Sequence, residues 1–326
     1  MGGYLLRRGV VGLALAFCAV FLTYCLTALT FDPLAALRSR TPPVPPSVIA
    51  AKSAELHLDQ PVPQRFLTWF LAVVHGDLGR TNSGTAIDAE ILDRIGVSLR
   101  LFVLGSAIGI LLGILVGVLG ATRQYRFSDH VGTLVSFVLL STPVFLSATL
   151  LKYAAIELNQ AVGHNVLLFT GEYEPTVSGG FWPHAVDRLQ HLVLPTLSIA
   201  AAQIALYSRY QRNAMLDVLG SDFLRTAAAK GLTRNQAIRR HGLRVAVLPI
   251  VTMLVFSSGL MIVGGVITES VFTWNGMGRW LIDGIATQDT TIVTTVTLFV
   301  AVVVLLCGTV SDLLYAALDP RVREVR

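Results

Sequence analysis

Reactive side chains are few and poorly spaced for catalysis. The chain has three cysteines and seven histidines among 326 residues, and its only lysines are Lys52, Lys152 and Lys230. Each lysine follows Ala or Leu, so no Gly-x-x-x-x-Gly-Lys-Ser/Thr loop is present to cradle nucleotide phosphates. Neither His-Glu-x-x-His nor Gly-x-Ser-x-Gly occurs, which removes the zinc and serine hydrolase signatures that they mark. The histidines are scattered, and none pairs with another at metal-ligand spacing. Cys18 and Cys25 are seven residues apart and would share a helix face, either as a redox or metal pair or as small polarizable packing groups. The segment 209–244 offers more, with eight basic and two acidic residues. Within it, residues 222–232 read as a short helix, with Asp222 as cap, good helix formers after it and Gly231 at the stop. Its Ala-rich face is narrow enough to enter a groove on a partner, with Arg225 and Lys230 at the edges. A basic loop lying against anionic headgroups is the alternative.

The elements that hold this segment follow from composition. Apolar residues make up 53% of the chain and charged residues only 14%, with a mean hydropathy of +0.66. An ordinary soluble domain has about 25% charged residues, so the expected solvent here is lipid. Six windows lack Asp, Glu, Lys and Arg: 9–30, 101–121, 131–151, 191–208, 245–268 and 290–310. At about 1.5 Å per residue, windows of this length match a hydrocarbon core of about 30 Å. The first competes with a cleaved signal peptide, because Arg7 and Arg8 precede it, but it is long for one. In the fourth, Pro195 is expected near a helix start. Polar residues inside the windows, Ser141, Thr142, Ser257 and Ser258, are candidates for lining a pathway or for interhelical hydrogen bonds.

Charge placement orients these windows. With a cytoplasmic N-terminus, the inner segments 1–8, 122–130, 209–244 and 311–326 carry 15 basic residues, and the short outer loops carry 3. The basic balance therefore reports topology and not nucleic-acid binding. The expected fold is an all-α polytopic membrane protein with six transmembrane helices and both termini cytoplasmic. Residues 1–30 form the N-tail and first span, 31–100 an extracytoplasmic segment, and 101–326 a five-span core with the loop 209–244.

The outer segment opens with a Pro-rich spacer at 41–46, after which Ser47 is expected to cap a helix through Leu58. Phe66, Trp69, Phe70, Val73 and Val74 recur at helical spacing, for a helix at the membrane interface or one packed on neighbouring spans. Residues 76–79 close it as a turn. Gly105, Gly109, Gly113 and Gly117, four residues apart, make a groove where a second helix can approach. Trp182, Trp274 and Trp280 fit an aromatic belt.

Ion-driven transporters usually keep ionisable groups within the membrane, and these windows have none. Energy for any uphill movement would have to come from another subunit. The residues from Phe223 to Leu232, followed by Leu248 and Pro249, resemble the peptide-permease form of the EAA loop of ABC importers. Further family-like stretches are 58–61, 76–79, 212–216, 269–272 with 276–278, and 312–321. Together they resemble the B-type permeases of dipeptide and oligopeptide ABC importers, with a pattern similar to mycobacterial oligopeptide permeases. Thr226 stands where the general motif has Glu, and the distance from Gly231 to Pro249 is longer than usual. Twenty-two Arg against three Lys agrees with a high-GC, actinobacterial genome.

The resemblance implies a type I ABC importer permease in the cytoplasmic membrane. It implies a C-type permease partner, cytoplasmic ABC ATPase subunits docking on the 223–232 helix, and an extracytoplasmic peptide-binding protein. Phe223, Leu224, Arg225, Thr226, Ala227, Ala229, Lys230 and Gly231 are then the coupling residues. ATP and Mg belong to the ATPase, with no catalysis and no cofactor on this chain. The alternatives are a stand-alone channel or receptor, or an importer of the same fold for nickel, sugar, glutathione or haem.

Overall fold

The structure, a computed structural model, describes residues 2–250, 253 and 265–318. Among the described residues the helices include, in order, α1 (Gly2–Thr30), α2 (Ala35–Arg38), α3 (Pro46–Glu55), α4 (Val62–Val74), α5 (Ile87–Thr122), α6 (Phe127–Ser141) and α7 (Val144–Val162), then α8 (Phe181–Leu219), α9 (Asp222–Ala229), α10 (Arg234–Ala237), α11 (Val266–Phe272), α12 (Met277–Ala286) and α13 (Thr290–Leu318). A π turn, Ile238–Gly242, follows α10 and continues as helix over 243–250. Among the described residues there is no strand, only an isolated bridge between Arg80 and Ala86.

Among the described residues four stretches are long and apolar enough to cross a membrane: Leu6–Arg38, Ile87–Thr122, Phe181–Leu219 and Thr290–Ser311. Two extend well beyond the uncharged windows that predict them. At 36 residues, α5 reaches about 54 Å at about 1.5 Å per residue, more than the hydrocarbon needs. It begins within the expected outer segment. The 39-residue α8 absorbs residues 209–219 of the expected loop.

The third window is not one straight helix. α6 and α7 bend by 107° at their junction. Pro143 causes the break: it has no N–H to continue the ladder, and it holds Thr142 in an extended conformation (φ −87°, ψ 120°). Pro195, in contrast, lies inside α8 and not near its start. It removes the hydrogen bond to the His191 carbonyl, a loss that packing against neighbouring helices makes tolerable in membrane helices. The fifth window lies mostly outside the described residues, as do Ser257 and Ser258.

The chain divides into two compact units, residues 1–97 with 275–309 and residues 98–274 with 310–326. In the first, α4 packs its aromatic face on α1. Phe66 is buried and meets Phe21 and Tyr24 edge-on, with ring centroids 5.0 and 5.4 Å apart. Packing on a neighbouring helix thus accounts for Phe66, Trp69 and Phe70 of that stripe, whereas Val74 is exposed. Pro46 takes the first position of α3 with Pro45 before it, so Ser47 is inside the helix and does not cap it. Ile87, Met277, Trp280, Ile292 and Val296 form a second cluster, where the Arg94 guanidinium lies 4.7 Å from the Trp280 ring centre. Trp280, and Trp274 in the other unit, are almost fully buried and so do not stand in an interfacial belt, whereas Trp182 is exposed. Asp289 caps α13 by accepting from the Thr291 and Ile292 N–H groups and also accepts from Asn82 N–H.

The second unit is organised around α8. Each glycine of the α5 stripe faces it. A β-carbon on Gly105 would lie 2.9 Å from Ile199 Cβ, and one on Gly117 would lie 2.5 Å from the Ser208 carbonyl. Gly109 and Gly113 meet Gln203 and Tyr207 in the same way, so the backbones approach where no side chain fits. On another face, Ser136 of α6 hydrogen-bonds Ser208 at 2.9 Å.

Candidate functional site

The short helix α9 is separated from α8 by Gly220 and Ser221. Ser221 is the extended residue before α9, so Asp222 occupies the first helical position and is not the cap. The Ser221 hydroxyl turns back to the Val218 carbonyl, tying α9 to the end of α8. Asp222 still places negative charge at the helix N-terminus, where the helix dipole favours it.

The C-terminus of α9 is built by Gly231. Its φ of +94° is a conformation that costs a side-chain-bearing residue about 1–2 kcal/mol. That conformation lets Gly231 N–H reach the Ala228 carbonyl and Leu232 N–H the Ala227 carbonyl, at 2.9 and 3.3 Å. This paired arrangement is a Schellman motif, closed by Leu232 and Ala227 packing on the same core. Thr233 and Gln236 then form a reciprocal capping box that starts α10.

Within residues 222–231 only Leu224 is buried. It sits among Ala121, Met215, Val218, Ala237, Ile238 and Ala246. Gly242, in the π turn, permits this. A β-carbon there would stand 3.3 Å from Val218 and 3.5 Å from Leu224. With Leu224 inward and Ala227 half-buried, the remaining surface of α9 is open: Phe223, Arg225, Thr226, Ala228, Ala229 and Lys230 are all exposed. The Arg225–Asp222 ion pair, at 3.5 Å between highly exposed side chains, contributes little and leaves Arg225 available. The result is a rigid peg on a small apolar socket with an outward surface of small residues flanked by cations. It can dock; it has no group placed for acid–base or nucleophilic chemistry.

A feature that the residue pattern did not single out lies beneath this socket. Arg212 of α8 holds Asp129 at the start of α6 through two bonds, Nε to Oδ1 at 2.7 Å and Nη2 to Oδ2 at 2.9 Å. Tyr125 N–H donates to the same carboxylate at 3.0 Å. Asp129 is buried, and Gly120 makes room, since a β-carbon there would stand 3.1 Å from Asp129 Oδ1. The available signal was Gly120 after Gly117, a further small residue next to the α5 stripe.

Of the remaining candidates, Ser141 and Thr142 lie at the α6–α7 break, where the Thr142 hydroxyl is bonded to the Val138 carbonyl. Cys18, Cys25 and Cys307 are all free thiols. Among the described residues no group of three or more metal-binding side chains converges.

The described residues thus form a helical membrane chain with an exposed, basic-edged short helix beside α8. The chain belongs to the family of binding-protein-dependent transport system inner membrane components, which it matches over residues 109–324. It is a permease and not an enzyme. It is 51% identical over 323 residues to the oligopeptide transport system permease protein OppB of Mycobacterium tuberculosis, an alignment covering 99% of each chain. It is also 33% identical over 284 residues to the dipeptide transport system permease protein DppB of Escherichia coli K12, covering 83% of this chain and 84% of that one.

Proposed function

We propose that this chain is the B-type permease of a peptide importer from an actinobacterium, spanning the inner membrane six times with both termini in the cytoplasm. The inner segments hold 15 of the 25 basic residues and the short outer loops 3, with the other 7 in the long segment 31–100, and the short-loop bias supports that orientation. The similarity to OppB and DppB supports oligopeptides or dipeptides as cargo. A C-type permease supplies the other half of the pathway, and an extracytoplasmic peptide-binding protein delivers the substrate. That protein would contact residues 31–100 and the exposed part of the loop 269–289. Because Glu269 and Asp289 are both buried, the accessible part of that loop centres on 282–287.

The observation that carries the mechanism is the burial of Leu224, with Ala227 half-buried beside it, beneath an outer face of α9 that is exposed. Cytoplasmic ATPase domains, which hold ATP and Mg, grip the Arg225, Thr226, Ala229 and Lys230 surface. When they close, α9 moves as a rigid lever on its Leu224 anchor and carries the end of α8 with it. The helices on α8 then switch the cavity between membrane faces.

Co-purification from native membrane tests this reading. Recovery of a second permease and an ABC ATPase with this chain is expected. A chain recovered alone that conducts solute in liposomes would support a stand-alone channel instead.

A further inference from the structure

A cavity of about 530 Å³ lies between the 122–126 turn, the end of α8 and the start of α10. Three guanidinium side chains from two segments line it: Arg123 and Arg126 of the turn, and Arg234 at the start of α10. No acidic residue is in its wall. Among the described residues none of the three makes a side-chain hydrogen bond or an ion pair. In the same unit Arg212 holds Asp129 and Arg100 pairs with Glu172, so these three are not simply placed beside carboxylates as those are. All three are exposed, so their mutual repulsion is screened, but they give one apolar-floored cavity a wholly positive rim that favours an anion.

The surroundings fit one anion source. The turn belongs to an inner segment by the charge count, and two rings beside the arginines, Tyr125 and Phe127, are 77% and 84% exposed. Aromatic rings exposed at a membrane boundary sit at headgroup level, and basic pockets at the cytoplasmic end of membrane helices bind phosphorylated headgroups. The floor is apolar: Ala121, Leu216 and Leu219 line the cavity and also pack in or against the core around Leu224. We propose that this cavity is a binding site for the phosphate of an anionic phospholipid, such as phosphatidylglycerol. A lipid held there bridges three segments of the framework under α9 and stiffens it.

The test uses the full-length chain in a neutral detergent, titrated with dioleoyl phosphatidylglycerol and read by thermal unfolding. One variant is R123Q/R126Q/R234Q; a charge-matched control, R239Q/R240Q/R244Q, removes three exposed arginines outside the cavity wall. Each basic side chain near an anionic surface contributes about fivefold, so three give about a hundredfold. The cavity variant should lose at least about tenfold in apparent lipid affinity, and the control less than about twofold. Dioleoyl phosphatidylcholine and inorganic phosphate should not stabilise the wild-type chain.

Equal losses in both variants would overturn the site in favour of diffuse surface charge. Stabilisation by inorganic phosphate alone would overturn the lipid in favour of a soluble anion. Loss of ATPase binding by the cavity variant with an unchanged lipid titration would show that the arginines face a protein, which also overturns it.

Discussion

Removing the Asp129 carboxylate would strip Arg212 of both its charge-assisted bonds and Tyr125 N–H of its acceptor. Asp129 is 3% exposed, but the Arg212 side chain keeps 26% of its surface in contact with solvent. Breaking a fully buried pair costs about 3–5 kcal/mol, and hydration of the freed Arg212 should reduce this to about 2–3 kcal/mol. Part of that loss is the burial cost of the surviving group, so single variants overstate the bond. A double-mutant cycle isolates it. Asp129→Ala, Arg212→Ala and the double variant, unfolded in mixed micelles and followed by tryptophan fluorescence, should give a coupling energy of about 1.5–2.5 kcal/mol. Additive effects, with coupling below about 0.5 kcal/mol, would refute the claim that this pair ties the start of α6 to α8.

Three further outcomes follow from local geometry. Gly117→Ala would place a β-carbon 2.5 Å from the Ser208 carbonyl, so unfolding in the same assay should show a loss of about 1–3 kcal/mol from overpacking. Leu224→Ala removes the one buried anchor of residues 222–231, at about 2–3 kcal/mol, and hydrogen exchange should rise across 222–231 while α8 before Met215 stays protected. Burial holds the Asp289 carboxyl above the usual carboxylate range, although backbone N–H groups from Asn82, Ile292 and Thr291 pull it down. The folded chain then binds this proton more tightly than the unfolded one, so its contribution to stability falls as pH rises from the ordinary carboxylate value through the raised one. Asp289→Asn should remove that slope, seen as a stability difference between wild type and variant that changes with pH.

The long apolar helices and the peg were legible because each rests on a local pattern. Uncharged windows locate α1, α5, α8 and α13, and the four-residue glycine spacing marks the face of α5 that meets α8. Gly231 announces its positive φ because only glycine takes it cheaply. The errors share a cause, the rank of a local signal against packing. Pro143 and Pro195 carry the same backbone defect, yet one breaks the chain by 107° and the other is carried inside a 39-residue helix. No rule confined to neighbouring residues separates them. Trp274 and Trp280 look like belt residues until tertiary packing buries them, and Asp222 looks like a cap until Ser221 is seen in extended conformation. The Asp129–Arg212 pair joins residues 83 positions apart, beyond the reach of any periodicity.

The central claim is that α9 transmits work from an ATPase to the membrane helices. Peptide uptake and ATP hydrolysis, measured together in proteoliposomes holding the complete transporter with wild-type or Gly231→Val chain, test it most directly. A β-branched residue is strained at φ +94° with no steric neighbour to blame, because nothing lies within 4 Å of its β-carbon. The variant should assemble and hydrolyse ATP while peptide moved per ATP falls at least about tenfold. An unchanged ratio in a fully assembled complex would contradict the account.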